Sequence, residues 1–172
     1  MNEDALRLTE ALLFASAEPV ATAAIARLLP PELDAEPVLH ALQARYAGRG
    51  VVLTEVAGGW QFRTAPDLAA RLTRVIVQPK RLPRAAMEAL SVVAYHQPVT
   101  RTEIEAVRGA ALGQATMDAL LEAGLIEPKG RKDVPGRPAL WGTTPAFLAQ
   151  FGLRDLRDLP RREDLPIDPP PP

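Results

Sequence analysis

The sequence predicts a mainly α fold with small β-hairpins, of the α+β class. Three observations predict this class. Segment 86–109 has the pattern of two helices joined by a short turn, a hairpin pattern follows three helical segments in each half, and the pattern of residues 15–42 recurs 79 residues later. A helix-turn-helix followed by a hairpin is the plan of a winged helix, so we predict two tandem winged-helix domains.

Segment 86–109, AMEALSVVAYHQPVTRTEIEAVRG, predicts the helix-turn-helix of the second domain. Its first helix has one apolar stripe, formed by Ala86, Leu90, Val93 and Ala94. That helix ends before Pro98, because proline lacks the N–H that a helix interior needs. Thr100 is suited to cap the second helix, with Glu103 as the other half of a capping box. Ile104 and Val107 are predicted to face the core.

The recurrence at 79 residues aligns positions that a shared fold would fix. It places the helix-ending proline and the apolar positions of one half on those of the other: Ala15 on Ala94, Pro19 on Pro98, Val20 on Val99, Ile25 on Ile104, Leu28 on Val107, Val38 on Met117, Ala41 on Leu120 and Leu42 on Leu121. We interpret the chain as one unit used twice.

The first domain begins with a helix predicted at residues 4–17, which is apolar over more than half of its circumference. Such a helix usually buries one flank in its own domain and the other elsewhere, so Leu6, Leu13 and Phe14 are predicted at a dimer interface. Further helices are predicted at residues 22–29 and from Asp34. A hairpin with its turn at Gly58-Gly59 follows.

The second domain repeats this plan. Its third helix is predicted at residues 112–123, with Met117, Leu120 and Leu121 facing the core. A wing at residues 129–138 and a closing helix after Thr144-Pro145 follow. The predicted organisation is a first domain at 1–77 that dimerises, a linker at 78–83, a second domain at 84–159 and a proline-rich disordered tail at 160–172.

Composition excludes several classes of protein. The 172 residues carry 20 basic and 21 acidic side chains and no cysteine, which excludes disulfides, Cys-ligated zinc and thiol nucleophiles. No apolar run approaches the about 18 residues of a membrane span, and the acidic start is not a secretion signal. We therefore predict a soluble, cytoplasmic protein without a membrane partner.

The sequence offers little for catalysis or cofactor binding. His40 and His96 each stand singly among helix residues, without a second His nearby to share a metal. Gly58-Gly59 fits a hairpin rather than a phosphate-binding loop. We therefore predict no enzyme, catalytic residue, metal site, cofactor or small-molecule substrate.

Winged helices most often read DNA through the third helix, and a transcriptional regulator is the alternative function. The third helix of the first domain carries Asp34 and Glu36 near its start and one arginine, Arg45, near its end, and that of the second carries Gln114, Asp118 and Glu122 and no cation. Carboxylates repel phosphates, so entry of either helix into a DNA groove is disfavoured.

The predicted wing of the second domain is the most basic segment. Its charged residues, Lys129, Arg131, Lys132, Arg137 and Asp133, give a net charge of +3. Weak, non-specific contact with DNA, contact with an acidic partner and a solvated loop all remain open for it. On the preceding helix, Arg101 and Glu105 are spaced for an ion pair.

Four strings occur in order over roughly residues 10–160: EALLFASAEP, EALSVVAYHQPVTRTEIEAVRG, LLEAGLI and GRKDVPGRPALWGTTPAFLAQFGLRDLRDLP. They resemble segregation and condensation protein B (ScpB), the accessory subunit of the bacterial SMC chromosome-condensing complex. Two departures are Trp141, where the family commonly has tyrosine, and residues 110–115, which lack a serine-containing helix start.

The resemblance implies dimerisation through the first winged helix and binding of the kleisin ScpA, which bridges the heads of the SMC ATPase. It implies a non-catalytic scaffold in chromosome condensation and partition during cell division, associated with the nucleoid. The family strings fall on Tyr95, Gln97, Pro98, Thr100, Arg101, Ile104, Glu105, Arg108 and Gly109, and on Gly130, Arg131, Gly136, Arg137 and Pro138. The sequence leaves open which of these contact a partner and which hold the fold.

Overall fold

The computed structural model describes residues 2–72, which we call the first unit, and residues 82–161, the second unit. The first unit contains α1 (Glu3–Ala15), α2 (Thr22–Leu28), α3 (Ala35–Tyr46), β1 (Val51–Val56), β2 (Gly59–Thr64) and α4 (Pro66–Leu72). The second contains α5 (Arg84–His96), β3 (Val99–Thr100), α6 (Arg101–Arg108), α7 (Gln114–Glu122), β4 (Ile126–Arg131), β5 (Ala139–Thr143), α8 (Pro145–Phe151) and a 3-10 helix (Leu156–Asp158). The predicted α+β winged-helix fold is confirmed.

Each unit has its own apolar core. The largest fully buried apolar side chains are Leu13, Ile25, Leu39, Leu42 and Val56 in the first unit, and Leu90, Val93, Ile104, Leu112, Leu120 and Leu125 in the second. The predicted domain boundaries stay predictions, because residues 73–81 and 162–172, which include most of the linker and tail, lie outside the described residues.

The two units repeat the same core and sheet contacts. Val20 forms an antiparallel bridge with Trp60, and Val99 pairs in the same way with Trp141. Ile25 and Ile104 are both fully buried. The second unit extends the plan to a three-stranded sheet in the order β3-β5-β4, whereas the first has the pair β1-β2.

The repeat changes register at the third helix. Leu121, which was predicted to face the core, is 38% exposed, whereas Leu39 and Leu42 on α3 are buried like Met117 and Leu120 on α7. Leu39 therefore corresponds to Met117, and Leu42 to Leu120. The two residues of each pair are one position closer in sequence than 79 residues, because the connection before α7 is one residue shorter than the connection before α3. The predicted inward position of Leu121 is therefore wrong.

Helix α6 also differs from the prediction in one position. Thr100 and Glu103 form the predicted capping box, with Thr100 N–H donating to Glu103 Oε2 at 2.8 Å. Gly109 ends the helix in the left-handed conformation, with a φ of 70°. Ile104 is fully buried, but Val107 is 46% exposed rather than inward, because this short helix presents only Ile104 to the core.

The first hairpin turns one residue earlier than predicted. Val56 pairs with Gly59, so the two-residue loop consists of Ala57 and Gly58. Gly59 instead begins β2, and a Cβ there would lie 2.9 Å from the backbone of Val20. Gly59 is therefore required for close approach of two backbones rather than for the turn.

Helix α1 divides its apolar residues differently from the prediction. Leu6 and Leu13 are only 3% and 2% exposed, because they lie on the same side of the helix as the buried Ala5 and Thr9. Phe14 lies about 100° further around the helix than Leu13 and is 85% exposed. Leu6 therefore belongs to the core of the unit and is corrected as an interface candidate. Leu13 is also part of the core but lines a groove beside Phe14, so these two residues stay predictions for the interface.

Candidate partner-binding surfaces

Gln97 and Pro98 tie the turn after α5 to the sheet. Their peptide bond is cis. Gln97 Oε1 accepts from the N–H of Thr143 at 2.8 Å, and Gln97 Nε2 donates to the Thr143 hydroxyl at 3.0 Å. A Cβ at Gly142 would lie 2.7 Å from Lys129 Cγ and 2.8 Å from Gln97 Oε1, so a larger residue there would displace one of these side chains. The Gln97 side chain is thus used within the fold.

Glu103 joins the wing to α6. Its carboxylate completes the cap with Thr100 and accepts a hydrogen bond from Lys132 Nζ in the wing. The Lys132 ammonium, together with the hydrogen bonds from Thr100, lowers the pKa of Glu103 to about 2. One carboxylate therefore stabilises both the helix start and the base of the wing.

We expect Glu103→Gln to lower the thermal midpoint of unfolding at neutral pH and to lower it progressively less in acid. The pKa of Glu103 is about 2 in the folded chain, against an ordinary value of 4.5. The ionised group therefore stabilises the fold fully above that ordinary value, and this contribution is lost as the pH falls toward the folded pKa. Thermal scans between neutral pH and the lowest pH at which the chain folds measure the difference.

Glu122→Gln, on the exposed side of α7, is the matched control for this experiment. The thermal midpoint of unfolding of Glu122→Gln should equal that of the parent chain at every pH. A gap between parent and Glu103→Gln that stays constant down to the acid limit would contradict the proposed stabilisation.

Arg101 and Glu105 connect α6 to the loop before α7. Arg101 donates to the carbonyl of Leu112 and, at 3.1 Å, to Gln114 Oε1. Glu105 Oε1 accepts from the Leu112 N–H at 2.8 Å, and the predicted Arg101–Glu105 ion pair is present at 3.7 Å. Together they satisfy both backbone polar groups of Leu112, whose side chain is buried, and so fix the approach to α7.

Arg108 links α6 to α5. Its Nη2 lies 3.2 Å from Glu88 Oε2, and its Nη1 donates to the carbonyl of Ala111 at 3.4 Å. Only 7% of the Arg108 side chain is exposed. Arg108 and the buried Ile104 therefore contribute to packing of the helix pair and offer little surface to a partner.

Tyr95 is the motif residue that borders an exposed apolar groove. This groove, which we call the second-unit groove, has a volume of about 400 Å³ and is lined mainly by Met87, Leu90, Tyr95, Phe147, Phe151, Leu153 and Leu159. Tyr95 is 41% exposed, and its hydroxyl donates to the carbonyl of Pro160 at 2.6 Å. The groove lies between α5, α8 and the segment that follows α8.

Phe14 forms the rim of a larger groove in the first unit, which we call the first-unit groove. It has a volume of about 640 Å³, with an apolar lining of Ala11, Leu13, Phe14, Tyr46, Val51 and Phe62 and a charged edge of Arg7 and Glu10. The Tyr46 and Phe62 rings pack at a centroid distance of 4.6 Å. Phe14 and the half-exposed Val51 extend this apolar surface into solvent.

The wing carries less free charge than its composition suggests. Arg131 and Arg137 are exposed, and Arg131 Nη1 donates to the carbonyl of Arg137 at 3.0 Å. The other two wing cations contact carboxylates, in the pairs Lys129–Glu127 and Lys132–Glu103. Such neutralisation weakens an electrostatic site for phosphates.

The third helices are poorly suited to binding DNA. On α3, Arg45 forms a bidentate pair with Glu3 of α1, with both contacts at 2.9 Å. On α7 there is no lysine or arginine. Neither third helix of the described units therefore offers an unpaired arginine or lysine to a phosphate.

The histidines do not form a metal site. His40 lies 3.6 Å from Glu36 and packs edge-on against Trp60. Residues 2–72 and 82–161 contain no group of three or more His, Cys, Asp or Glu side chains that could hold a metal ion. The helices described in those ranges are too short or too polar to cross a membrane.

The profile of one protein family, described as segregation and condensation complex subunit ScpB, matches residues 7–162. The chain belongs to the ScpB family. It is similar to segregation and condensation protein B of Symbiobacterium thermophilum, with 47% identity covering 89% of this chain and 71% of that protein. The protein of the same name from Syntrophotalea carbinolica is 46% identical, covering 89% of this chain and 79% of that protein. The predicted family resemblance is confirmed, and a regulator of transcription is not favoured.

Solved ScpB structures are also similar in sequence to this chain. ScpB from Mycobacterium tuberculosis is 34% identical, covering 89% of this chain and 98% of that chain, with a TM-score of 0.41. A dimer of the ScpB N-terminal domain complexed with ScpA peptide is 31% identical, covering 43% of this chain and 96% of that chain, with a TM-score of 0.39.

Apart from Tyr95, the residues of the second-unit groove were not predicted as binding residues from the sequence. Its lining comes from three separate segments, which no short motif connects. One signal was present: Phe147 and Phe151 lie four residues apart on α8, yet the structure buries only Phe147, at 3% exposure, while Phe151 is 43% exposed. An aromatic pair too large for a thin core could have indicated an exposed apolar site.

Proposed function

We propose that this chain is a non-catalytic scaffold subunit of an SMC complex that binds the kleisin ScpA and, through it, SMC. The proposed role is in chromosome condensation and partition during cell division, in the cytoplasm at the nucleoid. The observation that carries the proposal is the presence of an exposed apolar groove in each unit of a ScpB family chain. Apolar grooves of this kind bind side chains of another polypeptide.

We place a kleisin site in the second-unit groove in addition to the first unit, since the ScpA peptide of the solved complex is bound by a ScpB N-terminal domain. Met87, Tyr95 and Phe151 each expose about two fifths of their surface along it. A kleisin segment with apolar anchor residues would bury this surface, as an amphipathic helix does in a hydrophobic groove. Among the family-motif candidates, Tyr95 on α5 is the proposed contact residue, because it is 41% exposed and lines the groove, and no other motif candidate does.

The first-unit groove is the proposed homodimer interface. A two-fold axis would place Phe14 of each copy against the groove of the other, since an isologous interface presents the same surface twice. The Tyr46 and Phe62 rings offer an aromatic floor for the incoming ring. The charged edge formed by Arg7 and Glu10 is self-complementary across the same axis.

Co-purification with ScpA, beside binding of random duplex DNA at two salt concentrations, tests the proposed function. We expect capture of ScpA and at most weak, salt-sensitive DNA binding, because Arg45, the single arginine or lysine of the third helices, and half of the cations in the wing are paired. Tight DNA binding without capture of ScpA would select the transcriptional regulator instead.

Met87→Glu is expected to weaken ScpA binding by roughly tenfold or more, because it places a carboxylate in an apolar contact site. Met87 is 38% exposed, so the variant should fold normally. Leu121→Glu is the matched control, since Leu121 is equally exposed but lies on α7, outside the groove. Isothermal titration calorimetry with ScpA measures both, and equal affinities for the two variants would contradict the assignment of this groove.

A further inference from the structure

The hairpin loop of the first unit contacts the segment that follows α8 in the second unit. The N–H of Ala57 donates to the carbonyl of Leu153 at 2.8 Å, and the N–H of Gly58 donates to the carbonyl of Arg154 at 3.1 Å. On β2, Arg63 donates through Nη1 to the carbonyl of Ala149 at 2.5 Å. We call these three hydrogen bonds the inter-unit latch.

The hairpin loop is shaped to present two donors. Ala57 and Gly58 have φ values of 51° and 71°, as expected for a two-residue turn with positive φ at both positions. The loop N–H groups have no partners within the sheet, so they need acceptors elsewhere. The left-handed conformation is unfavourable for alanine because of its Cβ, and the contact with Leu153 helps to hold Ala57 in it.

The end of α8 supplies the matching acceptors. Gly152 N–H donates to the carbonyl of Ala149 at 3.3 Å, and Leu153 N–H donates to the carbonyl of Leu148 at 2.9 Å, which is a Schellman ending. The carbonyls of Leu153 and Arg154 lie beyond this ending and have no partner in the helix. Arg63 adds a cation at the helix C-terminus, where basic side chains bind the last carbonyls favourably.

Charges also match across the contact. Arg154 pairs with Asp158 through two hydrogen bonds, at 3.0 and 3.1 Å, and this pair is the main cause of a raised pKa of Arg154. The carboxylate of Glu55, on β1 of the first unit, raises the pKa of Arg154 further. Glu55 and Arg154 line one crevice between the units, together with Asp155, Arg157 and Asp158.

We propose that the inter-unit latch holds the two winged helices in one arrangement and positions a wall of the second-unit groove. Leu153, whose carbonyl accepts from Ala57, lines that groove, and so does Leu159 a few residues later. The hairpin of the first unit thereby supports an apolar surface of the second. The inference goes beyond the proposed function, because it concerns a contact within one chain and its test needs no kleisin.

The distance between spin labels at Glu32→Cys and Glu122→Cys tests the latch by pulsed dipolar spectroscopy. Both positions are exposed, one in each unit, and the chain has no other cysteine. Dilution with an excess of unlabelled chain restricts the measurement to distances within one chain. We expect one narrow distance distribution, whereas several distances or one broad distribution would overturn the proposal.

Arg63→Met in the labelled chain then tests the side-chain bond of the latch. Methionine keeps an unbranched apolar side chain but removes the hydrogen-bond donors. The fraction of chains with a label-to-label distance other than the main one should therefore rise roughly fivefold, which is the effect of losing one hydrogen bond. Arg27→Met, an exposed cation on α2, is the matched control and should leave the distribution unchanged. Circular dichroism checks that both variants are folded. A distribution that Arg63→Met leaves unchanged would overturn the role of Arg63.

Discussion

Ile104→Ala should destabilise the second unit by about 2–5 kcal/mol. Ile104 is fully buried and is the single buried residue of α6. Its removal leaves a cavity between α6 and the rest of the second core, and the capping box and the ion pairs of α6 restrict how far the helix can move to fill it. Urea unfolding followed by circular dichroism measures the loss, and hydrogen exchange of α5 and α7 assigns it to the second unit.

Val107→Ala is the matched control for this substitution. Val107 lies on the same helix and was also predicted to face the core, but it is 46% exposed. Its replacement should change stability by less than about 0.5 kcal/mol, as surface substitutions do. If the two variants lost equal stability, or if Ile104→Ala cost less than about 1 kcal/mol, the orientation of α6 would be wrong.

Local signals in the sequence predicted most of the fold. The cap formed by Thr100 and Glu103 and the stop at Pro98 depend on neighbouring residues alone, so they can be read without knowledge of tertiary structure. The apolar stripe of α5 has a strong helical period, and its predicted members are all buried.

Errors occurred where a position depends on packing between elements. Leu121 is exposed because the connection before α7 is one residue shorter than its counterpart, which rotates the buried face of the helix. Leu6 was predicted at an interface because a broad apolar face does not reveal which part the protein's own core will use. In both cases the apolar residues were identified correctly but their side was not.

For the candidate site, too, the sequence identified the residues but not their roles. The family motif located Tyr95, which borders a groove, but it equally marked Gln97 and Arg108, whose side chains have partners within the fold. A motif records residues that are needed, and it does not separate those needed for stability from those needed for binding. That separation required exposure and hydrogen-bond partners, which are properties of the folded chain.

Phe14→Ala should weaken homodimerisation by roughly 30-fold or more, the effect expected for an aromatic residue at the centre of an interface. Phe14 is 85% exposed in the single chain, so its truncation removes almost no contact within the fold. The loss should therefore appear in association and not in the stability of the unit. Sedimentation equilibrium over a range of protein concentrations gives the dissociation constant.

Leu28→Ala on α2 is the matched control, because Leu28 is also an exposed apolar residue of the first unit but does not line the first-unit groove. The dimer of the Leu28→Ala variant should have the same dissociation constant as the dimer of the parent chain. Leu6 lies in the core and Leu13 is buried in the lining of the groove, so the proposed contact of this helix with a second copy depends on Phe14 and its groove. An unchanged dissociation constant for Phe14→Ala would therefore place the dimer interface on another surface.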